Sequence, residues 1–245
     1  MASQDSAAML SPDARAGGSR SRESTPEQRL GEVETILAAT YGRPRWRSSG
    51  PPLDELIATV LSQHTSDINT ARAFGSLRSC FPHWSLVATA PVHEVVAAIR
   101  CGGLANIKAP RIQEILSAVH GRQGGCDLPS LRVLSLGVAR RWLESLPGVG
   151  PKTASCVLLF SLGRPAMPVD THVHRVSRRL AIVGDAASPV ETQHTLEFLI
   201  GPRRDAIYTL HMNLIRHGRE VCRARTPRCT ACALSSICPS SGTVA

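Results

Sequence analysis

Aromatic residues are scarce, at 4% of the 245 residues, so Leu, Val, Ile and Ala must fill the interior. Lysine is scarcer still. Only Lys108 and Lys152 stand among 28 basic residues, and all the others are arginine. No apolar run approaches the ~18 residues of a membrane-crossing helix, which excludes that class of protein. Residues 1–10 lack the basic-then-apolar order of a secretory signal, so a cytoplasmic location is expected. Sustained strand-type alternation is also missing; Ala, Leu and Arg dominate, and the expectation is an all-α fold.

What is present narrows the class further. The length allows one large domain or two small ones with a sizeable core. The net charge of +9 implies an anionic partner. None of the excess comes from residues 1–30, where Asp5, Asp13, Glu23 and Glu27 balance the arginines. Of eight cysteines, Cys80, Cys101, Cys126 and Cys156 are scattered, whereas the other four are bunched near the end. Bunching of that kind reads as ligation of a metal or a cluster rather than as a disulfide framework.

Along the chain, residues 1–26 have little to bury and read as a disordered tail. Thr25, Pro26 and Gln28 form a cap, a first-turn proline and a capping-box residue, predicting a helix to about Thr40. Leu53, Leu56, Ile57 and Val60 share one face of the next helix. The polar interruption at 62–69 is a loop with an N-cap at Ser66 or Asp67. Helical runs follow at 70–81 and 91–99, then a turn at 101–104 and an apolar face of Ile112, Ile115, Leu116 and Val119. A Gly-rich loop at 121–129 leads to a helix over about 135–145. Residues 153–162 are apolar on nearly all sides and predict a buried central helix that stops at Gly163. Cys156, inside it, reads as core. Two more helices are expected over 189–199 and 205–217.

The organising stretch is Leu146-Pro147-Gly148-Val149-Gly150-Pro151-Lys152-Thr153-Ala154, followed by Pro168-Val169-Asp170-Thr171-His172. Gly148 and Gly150 permit a tight turn and close backbone approach. Pro151 opens a helix whose first amides are free to hold an anion, such as a DNA phosphate. The run is not a Walker loop, since its Gly-Lys-Thr order and run-up are absent. It is a poor dinucleotide fingerprint too, because a helix rather than a strand precedes it. Lys152 follows at once and Asp170 lies 18 residues on. By itself Asp170 also reads as a plain N-cap. Arg175, Arg178 and Arg179 form a basic face suited to backbone contacts.

Near the end stand Cys222, Cys229, Cys232 and Cys238, one short pair with two wide arms. Structural zinc sites usually supply two short pairs. Four thiolates hold either zinc or a [4Fe–4S] cube, and the chemistry alone leaves both open.

These motifs together resemble the helix-hairpin-helix DNA glycosylases, most closely the bacterial endonuclease III type, over roughly residues 28–240. The resemblance rests on the Leu146–Ala154 run, the Val169-Asp170-Thr171-His172 run at the family's separation, and His217-Gly218-Arg219 before the cysteine array. It implies a two-domain fold, with 50–165 as the central helical domain. Residues 27–49 would join 166–240 in a discontinuous cluster domain, and 241–245 would be a short tail. It implies a [4Fe–4S] cluster on the four cysteines, and a monomer acting on damaged double-stranded DNA near the nucleoid.

Lys152 would be the nucleophile that forms a Schiff base with the sugar and nicks the strand by β-elimination. Asp170 would stabilise the positive sugar. The implied substrates are oxidised or ring-saturated pyrimidines. The family's wedge glutamine maps to His64, with Gln63 beside it. Lys108, after the second glycine turn, maps to a phosphate contact, with a solvated surface lysine as the plain alternative. Arg175 and Arg219 are further DNA-binding candidates. Pro151 stands where the family usually has arginine. Two rivals remain: a monofunctional glycosylase in which water completes base removal, and a noncatalytic damage-binding module. Borohydride trapping of a Schiff base separates the lyase from both.

Overall fold

The computed structural model describes residues 24–124 and 128–242. The tail expected at 1–26 lies outside the described residues except for its last three, as do parts of the 121–129 loop and of the 241–245 tail. Among the described residues the regular structure is helical throughout.

Local chemistry sets several helix starts. Helix α1 (Pro26–Tyr41) opens on a complete capping box: Thr25 Oγ1 accepts from Gln28 N at 3.3 Å, and Gln28 Oε1 accepts from Thr25 N at 3.1 Å. Helix α2 (Pro52–Leu61) buries Leu53, Leu56, Ile57, Val60 and Leu61 and turns Glu55 away from them. Ser66, not Asp67, caps α3 (Asp67–Cys80), accepting from Asn69 N at 3.3 Å. Helices α4 (Trp84–Thr89), α5 (Val92–Ile99) and α6 (Ala105–Gln123) complete one side of the molecule. The short α4 has no sequence expectation behind it; Trp84 anchors it, donating from Nε1 to Asp54 at 2.8 Å.

Helix α7 (Leu136–Glu144) and α8 (Pro151–Cys156) form the hairpin. The expected central helix does not run to Leu162 as a regular α-helix. It widens into a π turn at Val157–Ser161, with Leu162 N bonding to Val157 O at 3.2 Å. The cause is tertiary. The extended segment before α2 lies along this turn and supplies donors to its carbonyls: Trp46 Nε1 to Leu159 O (2.8 Å), Ser49 N to Phe160 O (2.9 Å) and Ser48 Oγ to Ser161 O (2.9 Å). Gly163, at φ +63, then ends the run, and a Cβ there would press on the Trp46 ring.

Two apolar cores result. The first gathers α2–α8, around Leu56, Ile57, Leu77, Ile112, Leu116 and Leu158. The second brings α1 back against α9 (Thr171–Arg179), α10 (Pro189–Ile200) and α11 (Arg204–Glu220), around Leu37, Val173, Val176, Leu196, Leu210 and Leu214. Each fully buried leucine contributes about 2 kcal/mol. Leu158 belongs to the first core and Leu159 to the second, so the π turn runs between them.

Lys108 corrects an expectation. It is neither a phosphate contact nor a solvated lysine: it is 3% exposed, and its Nζ donates to Leu61 O at 2.7 Å and to Gly102 O at 2.9 Å. Those carbonyls end α2 and the turn before α6, so the ammonium pins two chain reversals together. Burial pushes its pKa down. Lys108→Met, which strands both carbonyls, is expected to lower stability by about 2 kcal/mol in urea unfolding. The salt dependence of DNA binding should keep its slope, where loss of a phosphate contact would reduce it by about 1.

Candidate active site

The hairpin turn is built as its glycines demand. Gly148 is left-handed at φ +67, and Val149 N bonds back to Leu146 O at 3.2 Å. Any Cβ at Gly148 would overlap the Arg111 guanidinium, so glycine here brings a positive charge against the turn. Gly150 caps α8, and both glycines are exposed, leaving the turn open to solvent. Pro151 occupies the first helical position, where an N–H would be free anyway.

Lys152, on the first turn of α8, and Asp170, just before α9, line one open cleft between the two cores. Asp170 is an N-cap and a cleft residue at once. Its Oδ1 accepts from His172 N at 2.9 Å and from Val173 N at 2.8 Å, which fixes the carboxylate at the positive end of α9. The lysine is half-buried, and the ion pairs among the described residues leave it out. The Cys156 thiol lies one turn further along α8 and shares a hydrogen bond with Lys152; burial pushes that thiol up to about 11. Cys156 is thus buried, as expected, and neutral.

The polar loop after α2 forms the opposite lip. Gln63 and His64 are exposed and line the cleft, and His64 is held left-handed at φ +54, a strained backbone for a residue with a Cβ. Arg219 reaches across from α11 to Asp67 at 2.8 Å, bridging the lips with a solvent-exposed pair of little net stability.

This fold and cleft have known counterparts. A model of the HhH-GPD superfamily of base excision DNA repair proteins matches residues 57–202. Endonuclease III of Thermotoga maritima is 35% identical over 195 residues, covering 80% of this chain and 86% of that protein. The chain belongs to this superfamily. A solved structure of a trapped endonuclease III–DNA covalent intermediate superposes with a TM-score of 0.75 at 30% identity, covering 89% of this chain and 97% of that one. A putative DNA glycosylase of Arabidopsis thaliana is 43% identical over 140 residues, and the chain spans about half of that plant protein's length. By family this is an endonuclease III-like DNA glycosylase with an all-helical helix-hairpin-helix fold.

Not every expected contact residue of the glycosylase faces the cleft. Arg175 turns inward: its Nε and Nη2 donate to Cys222 O at 3.1 and 3.0 Å, and Nη2 also donates to Gly218 O at 2.9 Å. It ties α9 to the end of α11 and to the cysteine segment, so it does not serve as the expected DNA contact. Arg179 does similar work, donating to Arg223 O at 2.6 Å and Ala224 O at 2.8 Å.

Sequence reasoning missed four participants. His211 lines the cleft, and its Nδ1 donates to Pro168 O at 2.9 Å, bracing the segment that carries Asp170. Burial pushes its pKa down to about 4, so it stays neutral near neutral pH. Leu104, like His64, is left-handed, at φ +52, and holds a large apolar side chain out to solvent before α6. Arg111 backs the hairpin, and Glu55 enters the cleft from α2. A buried histidine and a half-buried acid in otherwise ordinary helices carry no local signature. The glycine before Leu104 marked a turn but not which residue it would project.

The four bunched cysteines meet in space. Cys222, Cys229, Cys232 and Cys238 border one cavity, walled by Val176, Leu180, Val221 and Leu234. Arg179 Nη1 donates to Cys222 Sγ at 3.4 Å, placing positive charge beside the sulfurs.

Proposed function

We propose that this protein is a bifunctional DNA glycosylase and AP lyase that removes oxidised or ring-saturated pyrimidines from duplex DNA, acting as a monomer. The carrying observation is that Lys152 and Asp170, 18 residues apart in the chain, line one cleft beside an exposed hairpin. A target nucleotide must leave the duplex to reach them, and weak stacking of a damaged base makes that easier. The neutral Lys152 amine attacks C1′, and the C1′–base bond breaks with its electron pair on the base. Asp170 opposes the positive charge growing on the sugar. Ring opening then gives the imine, and loss of a C2′ proton eliminates the 3′ phosphate. Borohydride reduction of a reacting duplex is expected to yield a stable protein–DNA adduct. Base release without any adduct would instead identify a monofunctional enzyme.

The cysteine cavity fits a [4Fe–4S] cluster in its donor set. Four thiols line one hollow with mainly apolar walls, the donor set that such a cluster takes. Cys222, Cys229, Cys232 and Cys238 would be the ligands. When bound, the cluster supplies a covalent staple for the segment after α11. Arg228 at the cavity then stands as fixed positive charge for DNA.

His64 is the proposed wedge into the gap left by the flipped base, with Leu104 as an apolar partner on the neighbouring turn. Both are held out by rare left-handed backbones, as expected of residues positioned for contact. His64→Ala is expected to weaken binding to lesion DNA about tenfold, the loss of one stacking contact, with slower turnover. Unchanged affinity and turnover would shift the assignment to Gln63.

A further inference from the structure

Glu55 is an acid that the proposed chemistry does not yet use. It lies on α2, one turn before Thr59, on the side away from Leu56, Ile57 and Val60, and it lines the cleft with Lys152. Thr59 Oγ1 donates to its Oε1 at 3.1 Å, and the Ser49 hydroxyl donates to the same carboxyl. No arginine pairs with it, and the ion pairs among the described residues leave it out, as they do Lys152. Burial pushes its pKa up, against the opposing pull of the two hydroxyls and the Lys152 ammonium. A half-buried carboxyl facing an unpaired lysine destabilises a fold that an apolar residue would serve better, and such sites belong to function.

Asp170 is differently engaged, its Oδ1 taken by two backbone amides. Cys156, also facing Lys152, is a neutral thiol with its pKa at about 11, and His211 is neutral with its pKa at about 4. Neither is suited to take a proton from the amine at neutral pH. The remaining ionisable groups of the cleft are His64 and Asp67 on the α2–α3 lip, His172 and His174 on α9, and Arg219 on α11. Of the charged groups around Glu55, the Lys152 ammonium is the one that draws its carboxyl toward the ionised form.

We propose that Glu55 is the general base for Lys152, an inference that rests on the lyase reading above. When DNA covers the cleft, the Glu55 carboxylate takes one proton from the Lys152 ammonium, leaving a neutral amine and a carboxylic acid. Exclusion of water favours that neutral pair over the charged one. The amine's lone pair forms the bond to C1′. The proton held by Glu55 passes to the departing base, or, at a preformed abasic site, to the C1′ oxygen that leaves as water.

The test is the pH profile of single-turnover borohydride trapping on preformed abasic duplex, from about pH 5 to about pH 9. In the wild-type protein trapping rises as Glu55 ionises and then levels, because the base must be unprotonated to act. Glu55→Gln should slow trapping by about 100-fold near pH 7, within the usual range for a lost general base. Its rate should climb with pH across the whole window, since solvent must now deprotonate the amine. Thr59→Val, which removes a hydrogen bond to the carboxylate, should move the acid limb to higher pH while keeping the plateau. This second variant reports on the proposal even if Glu55→Gln folds poorly. A neutral-pH rate in Glu55→Gln equal to or above wild type, or an acid limb unmoved in Thr59→Val, overturns the proposal. Equal or faster trapping would mean that Glu55 only stabilises the ammonium. Failure of the wild-type protein to trap at all overturns the lyase reading, and this inference with it.

Discussion

Lys152→Ala is expected to abolish borohydride trapping while leaving much of the affinity for abasic-site DNA intact. The amine is the only one in the cleft, and the other lysine, Lys108, is sealed between two carbonyls. The many arginines cannot substitute, because a guanidinium stays protonated and forms no useful imine. Affinity survives because it is spread over numerous backbone contacts. Asp170→Asn complements this result. Asparagine is as good an N-cap as aspartate, so α9 should keep its start, while the negative charge facing the sugar is lost. Base excision in a folded Asp170→Asn protein should slow by about 100-fold, the usual effect of removing one electrostatic stabiliser. The two losses should not add, since both groups serve one transition state. Single-turnover assays on an oxidised-pyrimidine duplex and on a preformed abasic duplex separate the two steps. Wild-type-like trapping by Lys152→Ala, or normal excision by Asp170→Asn, would remove the residue concerned from the mechanism.

The second large effect concerns the cysteines. Protein purified anaerobically is expected to carry about four iron and four sulfide per chain, with no stoichiometric zinc. Cys232→Ala should lose that complement and release the segment from 221 to 242. The reason is compositional: in that stretch Leu234 is the one hydrophobic residue in the buried core, too little to hold twenty-odd residues by packing. Ligand binding there is folding free energy. The loss should appear as new proteolytic cleavage within 221–242 and as weakened DNA binding. Resistance to proteolysis equal to wild type, or zinc in place of iron and sulfide, would count against the cluster.

The sequence and the structure divide the explanation along a clear line. What the sequence by itself determined is local or carried by short spacing. Thr25 and Gln28 mark the start of α1 and Gly163 the end of the central helix, and the cap of α3 was narrowed to Ser66 or Asp67, because a cap or a left-handed turn needs only residues within a few positions of each other. The hairpin glycines were readable for the same reason, as was the grouping of the four cysteines, whereas the pairing of Lys152 with Asp170 came from the family resemblance. What only the tertiary structure decided depends on partners far away in sequence. The π turn exists because Trp46 and Ser48 meet carbonyls 113 residues later. Lys108 and Arg175 look like surface cations, yet carbonyls from other elements draw them inward, and no periodicity records where a carbonyl chain end will lie. Glu55 faces Lys152 only because α2 and α8 pack side by side. A long charged side chain can point either way from a helix, and the packing of its neighbours, not its own position in the chain, selects the direction.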